Sequence, residues 1–264
     1  MSTLNPYVRV EKRPLYASDS MKSGGFTVRV ADDTDPTGWK EAGVVSEDYL
    51  LVPNAEVRSI AEEIADRSQF NFEEEKIFFD GKRYSLALVA RNEGLVEPLV
   101  GDFIGLGLLF ENSYDGSRKL AASLFAYRLA CKNGMLVPSL FRQVRFKHLR
   151  SSSGWQGDVN RALSMLAMAP AGLEKFARAS RKLASMRISA GRLREIRQKA
   201  VPKLPVTLWG RTLDRFVNEE SLDGFGLLNA VTYVTWHDEK PSASTFGHNE
   251  YASTGLVNYA LSLN

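Results

Sequence analysis

The groups able to do chemistry in this 264-residue chain are few: three histidines, one cysteine, a run of three glutamates and a long band of arginine and lysine. His148, His237 and His248 follow no HxxxH or zinc-ribbon spacing and have no cysteine partners, so they predict no metal site. Trp236-His237-Asp238-Glu239 could supply a base and an orienting carboxylate, but a histidine at a helix end more often caps or complements the helix dipole. Glu73, Glu74 and Glu75 are adjacent, and adjacent side chains do not converge on one point. A solvated turn just before a strand is the simplest reading. Cys131 lies beside Lys132, which could lower its pKa, yet a lone cysteine among apolar residues is more often a small core residue. Gly101, Gly105 and Gly107 form neither GxGxxG nor GxxxxGK[ST], and no GxSxG turn is present. The chain is therefore expected not to be an enzyme and to need no cofactor.

The band of bases differs in kind. From Arg142 to Lys203, fifteen Lys and Arg face three acids, Asp158, Glu174 and Glu195, a local balance of +12; the whole chain carries +3, so the remainder carries −9. Such asymmetry is the footprint of a phosphate-binding surface. A basic helix face is often merely solvated, but a solvated helix usually alternates signs, because opposite charges three or four residues apart stabilise it. Arg178, Arg181, Lys182, Arg192, Arg194, Arg197 and Lys199 have almost no acidic neighbours in sequence. A polyanion would relieve that repulsion, and the planar fork of arginine suits phosphate oxygens. The run from Phe141 to Arg150, followed by Trp155, interleaves aromatic and basic residues, as single-strand binding by charge and stacking requires. Strand alternation puts Arg145 and Lys147 on one face, with Phe146 and His148 on the other. Taken singly, Phe141 and Phe146 read as core. The candidate nucleic-acid-binding residues are Arg142, Arg145, Lys147 and Arg150, then Arg178, Arg181 and Lys182, with Arg83, Arg128 and Lys132 secondary.

The elements that must position these residues can be read from periodicity and punctuation. Residues 1–48, rich in Pro, Gly, Ser and Asp with short β-like pieces such as Phe26 to Val30, read as a loosely structured arm. A single α+β domain is expected over residues 49–264. Val57, Ile60, Ala61 and Ile64 predict an amphipathic helix from Glu56 to Ser68 behind an Asn54 cap. Asp80-Gly81, Asp115-Gly116 and Asn133-Gly134 are hairpin signals. They predict strands at Lys76 to Phe79, Arg83 to Arg91, Asp102 to Ser113, Arg118 to Cys131, Met135 to Val137 and Gln143 to His148. Arg118 to Cys131 also satisfies helical spacing; the turn signals on both sides favour strand. Helices follow over Asp158 to Met168, Ala171 to Met186 and Ser189 to Val201, punctuated by Pro170 and Pro202. Within a C-terminal helical part of about 207–264, two more are expected over Ser221 to His237 and Glu250 to Leu263. The fold class is α+β, a central antiparallel β-meander packed with helices, followed by a basic helical segment and C-terminal helices.

The longest apolar run, Phe103 to Phe110, is far below the roughly 18 to 20 residues that span a bilayer. The N-terminus lacks the basic flank and apolar stretch of a secretory signal, and Cys131 alone allows no internal disulfide. A cytoplasmic protein with no membrane contact is expected.

Two motifs carry a resemblance. Asn112-Ser-Tyr-Asp-Gly-Ser117, followed after a strand by Arg128-Leu-Ala-Cys-Lys-Asn-Gly-Met135, resembles an uncharacterised prokaryotic family labelled phage/plasmid-like protein, a domain of unknown function. Leu228-Asn-Ala-Val-Thr-Tyr233 with Trp236-His237 is similar to that family's closing motif. The similarity runs from about Leu50 to the C-terminus; the arm before Leu50 and the basic Ala171 to Lys203 region do not match the pattern. The resemblance implies a role in replication, recombination or defence evasion. The order of parts is also similar to the Rad-fifty-two-type single-strand annealing superfamily, which implies rings or filaments with a basic groove for single-stranded DNA. The expected function is thus that of a mobile-element nucleic-acid-binding protein, and within that class a homo-oligomeric single-strand annealing protein. The alternative is a protein-interaction module that inhibits a host nuclease or defence complex.

Overall fold

Proline, glycine and aspartate do not keep the first forty-odd residues from pairing. In a computed structural model that describes residues 5–18, 21–91, 95–146, 155–219, 221–237 and 243–263, β1 (Val10–Ser18), β2 (Met21–Ala31) and β3 (Trp39–Ser46) form a three-stranded antiparallel sheet. The expectation of a loose arm is corrected here. The polar cluster is the β2–β3 turn: Asp32 accepts the Thr34 N–H at 2.9 Å and Asp35 that of Thr37 at 2.8 Å, the side chain replacing a backbone acceptor. Val28, Val30, Ala42 and Val45 point to one side and bury themselves with Tyr114 in a small core.

Next come α1 (Asn54–Arg67) and the main sheet, built from β4 (Phe72–Phe79), β5 (Arg83–Ala90), β6 (Val96–Leu99), β7 (Asp102–Ser113), β8 (Ala121–Arg128), β9 (Asn133–Met135) and β10 (Gln143–Arg145). Its order is β10-β8-β7-β5-β4, all antiparallel, with β6 beside β7 and β9 beside β8. The expected meander is present. Gly81 (φ 89°) and Gly116 (φ 72°) supply the left-handed turn residues that the two Asp-Gly pairs predict. The Asn133-Gly134 pair does not make a turn: the turn lies one step earlier with Lys132 at φ 50°, and both residues belong to β9. Glycine is needed at 134 for another reason, because a Cβ there would lie 2.4 Å from the Trp236 ring. Glu73, Glu74 and Glu75 lie within β4 rather than in a solvated turn, at a bulge between Glu74 and Lys76, and pair with Arg91 and Arg58. Charge and a bulge are usual on an edge strand, where they oppose further pairing.

Seven helices are present among the described residues: α1, then α2 (Gln156–Ala167), α3 (Ala169–Ser185), α4 (Ala190–Lys199), α5 (Val206–Phe216), α6 (Gly224–Trp236) and α7 (Ala243–Ser262). One sheet face, with Leu86, Leu88, Leu106, Leu108, Phe110 and Leu124, forms the main core with the buried faces of the helices. The other face, with Ala87, Val89, Leu109, Phe125 and Tyr127, is covered by Trp236 and Phe246. Asn54 is the first residue of α1 rather than its cap; its side chain donates to the Pro6 carbonyl at 2.8 Å, and Pro53 precedes the helix. The helix α5 falls at the start of the expected helical part of about 207–264, ahead of the two helices singled out there, with Leu208, Thr212 and Phe216 buried one turn apart.

Candidate nucleic-acid interface

Among the described residues the strand β10 pairs with β8 alone, through Gln143 and Ser123, Val144 and Ala122, and Arg145 and Ala121. Alternation turns Val144 toward the main core and leaves Arg145 exposed beside Gln143, whose Oε1 accepts from Arg145 Nε at 3.1 Å. Phe141 and Phe146 flank the strand and are buried, so each is core. Opposite the strand runs α2. Its Arg161 reaches across, donating from Nη2 to the Arg145 carbonyl at 3.2 Å while pairing with Asp158. Between strand and helix lies a cleft of about 630 Å³, rimmed by Arg142, Arg145 and Arg161 over a floor of Val144 and Met165, with Met168, Gln143 and Ser164 at its sides. Arg142 and Arg145 make no ion pair among the described residues and are exposed. Lys147 and Arg150 lie outside the described residues. Arg161 was missed in the sequence reading; its only local signal is the i, i+3 spacing from Asp158.

The basic helices divide into free and committed charges. Arg178, Arg181 and Lys182 lie on the exposed side of α3, whose other side buries Leu173, Phe176 and Leu183. The ring of Phe141 packs 6.5 Å from that of Phe176, so α3 is a neighbour of the segment that leads into β10 and carries Arg142. Arg178 has no ion pair among the described residues, Arg181 meets Glu174 at 3.3 Å, and Lys182 donates to the Leu263 carbonyl at 3.1 Å. On α4 the charges are more engaged than neighbouring sequence suggests. Arg192 and Lys199 share Glu195, while Arg197 donates to the Val201 and Leu204 carbonyls, closing the helix end.

The secondary candidates are scattered. Arg145 aligns with the first residue of β8 and Arg128 is its last, seven steps or roughly 24 Å away at about 3.4 Å per residue. Arg128 is structural: it binds Asp102 at 2.9 Å, donates to Cys131 Sγ at 2.8 Å and lies 5.7 Å over the Phe225 ring. Burial opposes its charge, but the Asp102 hydrogen bond and field outweigh that and hold the guanidinium more firmly protonated than usual. Lys132 is exposed at the same remote end. Arg83 lies at the Arg145 end, 3.9 Å from Asp115.

The paired motifs meet in space. Asn112 donates to the Val52 carbonyl at 2.9 Å and the Tyr114 hydroxyl accepts the Asn54 N–H, fastening the start of α1 to the end of β7. Asn133 donates to Thr232 at 2.5 Å, and Asn249 joins the Gly134 carbonyl to Thr235. These residues are buried and hold the fold, although Oδ1 of Asn112 and of Asn133 finds no partner among the described residues. The family model described as Domain of unknown function (DUF932) matches residues 41–240, a span that contains both motifs and the cleft. The chain belongs to this family. No match is found among curated proteins or among solved structures. Among the described residues of this DUF932 member, no group of three His, Cys, Asp or Glu could hold a metal, and no helix is long and apolar enough to cross a membrane.

Proposed function

We propose that this protein binds nucleic acid, with single-stranded DNA as the preferred ligand, in the recombination or replication of a phage or plasmid. The observation that carries the reading is the cleft between β10 and α2. Three guanidiniums line its rim, two of them without carboxylate partners among the described residues, above an apolar floor. Guanidinium groups take phosphate oxygens in paired hydrogen bonds, and an apolar floor accepts unstacked bases without demanding a sequence. Arg178 and Arg181 on the neighbouring α3 extend the positive field. The finer reading, a homo-oligomeric annealing protein, rests on the order of strands and helices. Annealing needs only that two backbones be neutralised while base edges stay free, so no catalytic group or cofactor is called for.

Fluorescence polarisation with single- and double-stranded oligonucleotides across a salt series tests this. The Arg142→Ala/Arg145→Ala double variant is expected to bind the single strand more weakly, with a salt slope reduced by about 0.7 per lost phosphate contact. Absent binding at low salt, or indifference to the substitutions, would sink the reading and favour an acidic protein as the partner of the cleft. Strand annealing and light scattering then separate an oligomeric annealer from a passive binder.

A further inference from the structure

The N-terminal sheet is seated at the same end of the main sheet as the cleft. Arg145 aligns with Ala121, two residues after Lys119, and Ala121 aligns with Glu111. Arg83 aligns with Ser113, so Lys82 and Arg83 stand at that same end of the sheet. Some of this charge is spent locally, since Arg118 pairs with Glu111 and Arg83 faces Asp115; Lys82 and Lys119 are exposed. The Asp115 turn abuts the N-terminal sheet: a Cβ at Gly43 would lie 2.7 Å from that of Asp115, and the Tyr49 hydroxyl donates to the Ser113 carbonyl.

The open face of that sheet carries an arginine and tryptophan group. Val10, Val28 and Val30 turn inward, which leaves Glu11, Arg13, Thr27, Arg29, Glu41 and Val44 on the other side. The guanidiniums of Arg9 and Arg29 lie 4.6 and 5.2 Å over the Trp39 ring. Arg13 and Arg29 both contact one oxygen of Glu11, so two cations share one carboxylate, and Arg9 has no ion pair among the described residues. Arg13 is 56% exposed and Val44 62%. The Thr27 hydroxyl is buried beneath them without a partner among the described residues. An exposed antiparallel sheet face with arginines, an aromatic ring and one apolar side chain has the chemistry that single strands meet on sheet platforms.

We infer that a single strand held in the β10–α2 cleft continues past Lys119 and Lys82 onto this face, where Arg9 and Arg13 take phosphates and Val44 and the Arg29 guanidinium over Trp39 meet bases. This rests on the cleft being a nucleic-acid site. The surface includes β1 and β2, which precede the family match, so it belongs to this chain in addition to the DUF932 region.

Length dependence tests the extension. Sites on single strands span about 4 to 16 nucleotides, so an oligonucleotide of about 6 fills the cleft alone and one of about 20 reaches both surfaces. Arg9→Ala/Arg13→Ala is expected to leave the short ligand unaffected and to lower the salt slope for the long one by about 1.4, two contacts at about 0.7 each. Arg13→Ala alone, which leaves the Trp39 stack intact, should give half that change if the double variant folds poorly. An unchanged slope with the long ligand overturns the extension while leaving the cleft reading intact. Loss of binding to both lengths in Arg142→Ala/Arg145→Ala, without any effect of Arg9 and Arg13, does the same. Absence of binding by the unaltered protein overturns both.

Discussion

Asn133 and Thr232 meet side chain to side chain, Nδ2 to Oγ1 at 2.5 Å, fully buried and 99 residues apart in the chain. The Thr232 hydroxyl passes the interaction on by donating to the Leu228 carbonyl inside α6. The turn after β8 is thereby pinned to the helix that carries Trp236. Asn133→Ala removes this buried hydrogen bond while the Thr232 hydroxyl keeps its Leu228 acceptor, so it is expected to cost about 0.5–1.5 kcal/mol by urea denaturation. A double-mutant cycle with Thr232→Val should return a coupling of about 0.5–3 kcal/mol. Additive effects would mean that the pair does not connect sheet to helix.

Gly134 gives a second measure of the same junction. A methyl group there must displace the Trp236 ring, which also packs 5.3 Å from Phe125 and 5.7 Å from Phe246. Gly134→Ala should destabilise by about 1–3 kcal/mol, the usual cost of overpacking a core. Its tryptophan emission should shift as the ring moves. An unaltered denaturation midpoint would show that the ring gives way freely.

Arg128 separates a structural cation from a binding one. With Asp102 almost buried beside it, Arg128→Ala leaves a carboxylate without its partner and should cost about 3 kcal/mol. Oligonucleotide affinity of the folded protein should stay at the unaltered level, because the cleft is at the other end of β8. Weaker binding with full stability would return Arg128 to the interface.

Burial pushes the Tyr49 phenol up to about 12, and the nearby Asp115 carboxylate adds to the push. The unfolded chain ionises this group near about 10, so the stability contributed by the neutral phenol is complete below that pH. It is lost as pH rises from about 10 through about 12. Denaturation across that window should show a steeper fall for the unaltered protein than for Tyr49→Phe, which has no proton to lose. Parallel slopes would show that Tyr49 is not sequestered at the junction of the two sheets.

Much of the main sheet was legible because Asp-Gly pairs at 80 and 115 leave little choice of turn, and because β5, β7 and β8 are apolar on both faces. Arg118 to Cys131 shows the limit of that signal, since Leu120, Leu124 and Tyr127 fit a helix equally well and only the flanking turns decided for a strand. The N-terminal sheet was hidden because Asx turns at Asp32 and Asp35 use the same residue types as a disordered arm. The bounds of α5 were hidden by Pro202, Pro205 and a short run whose buried positions include Thr212. For the candidate site, composition located the charge but could not sort it. Arg197 and Lys182 are tied to backbone carbonyls that lie beyond their own helix turn, and Arg161 belongs to the cleft only because β10 lies beside α2.

The strand β3 crosses the start of the family region, while its partner β2 lies wholly before it. The segment ahead of β3 is nonetheless tied into the main body: Asn54 donates to the Pro6 carbonyl and the Tyr7 and Tyr84 hydroxyls lie 3.2 Å apart. A change of sequence before β3 is therefore felt at the start of α1 and on β5 as well as on the open sheet face.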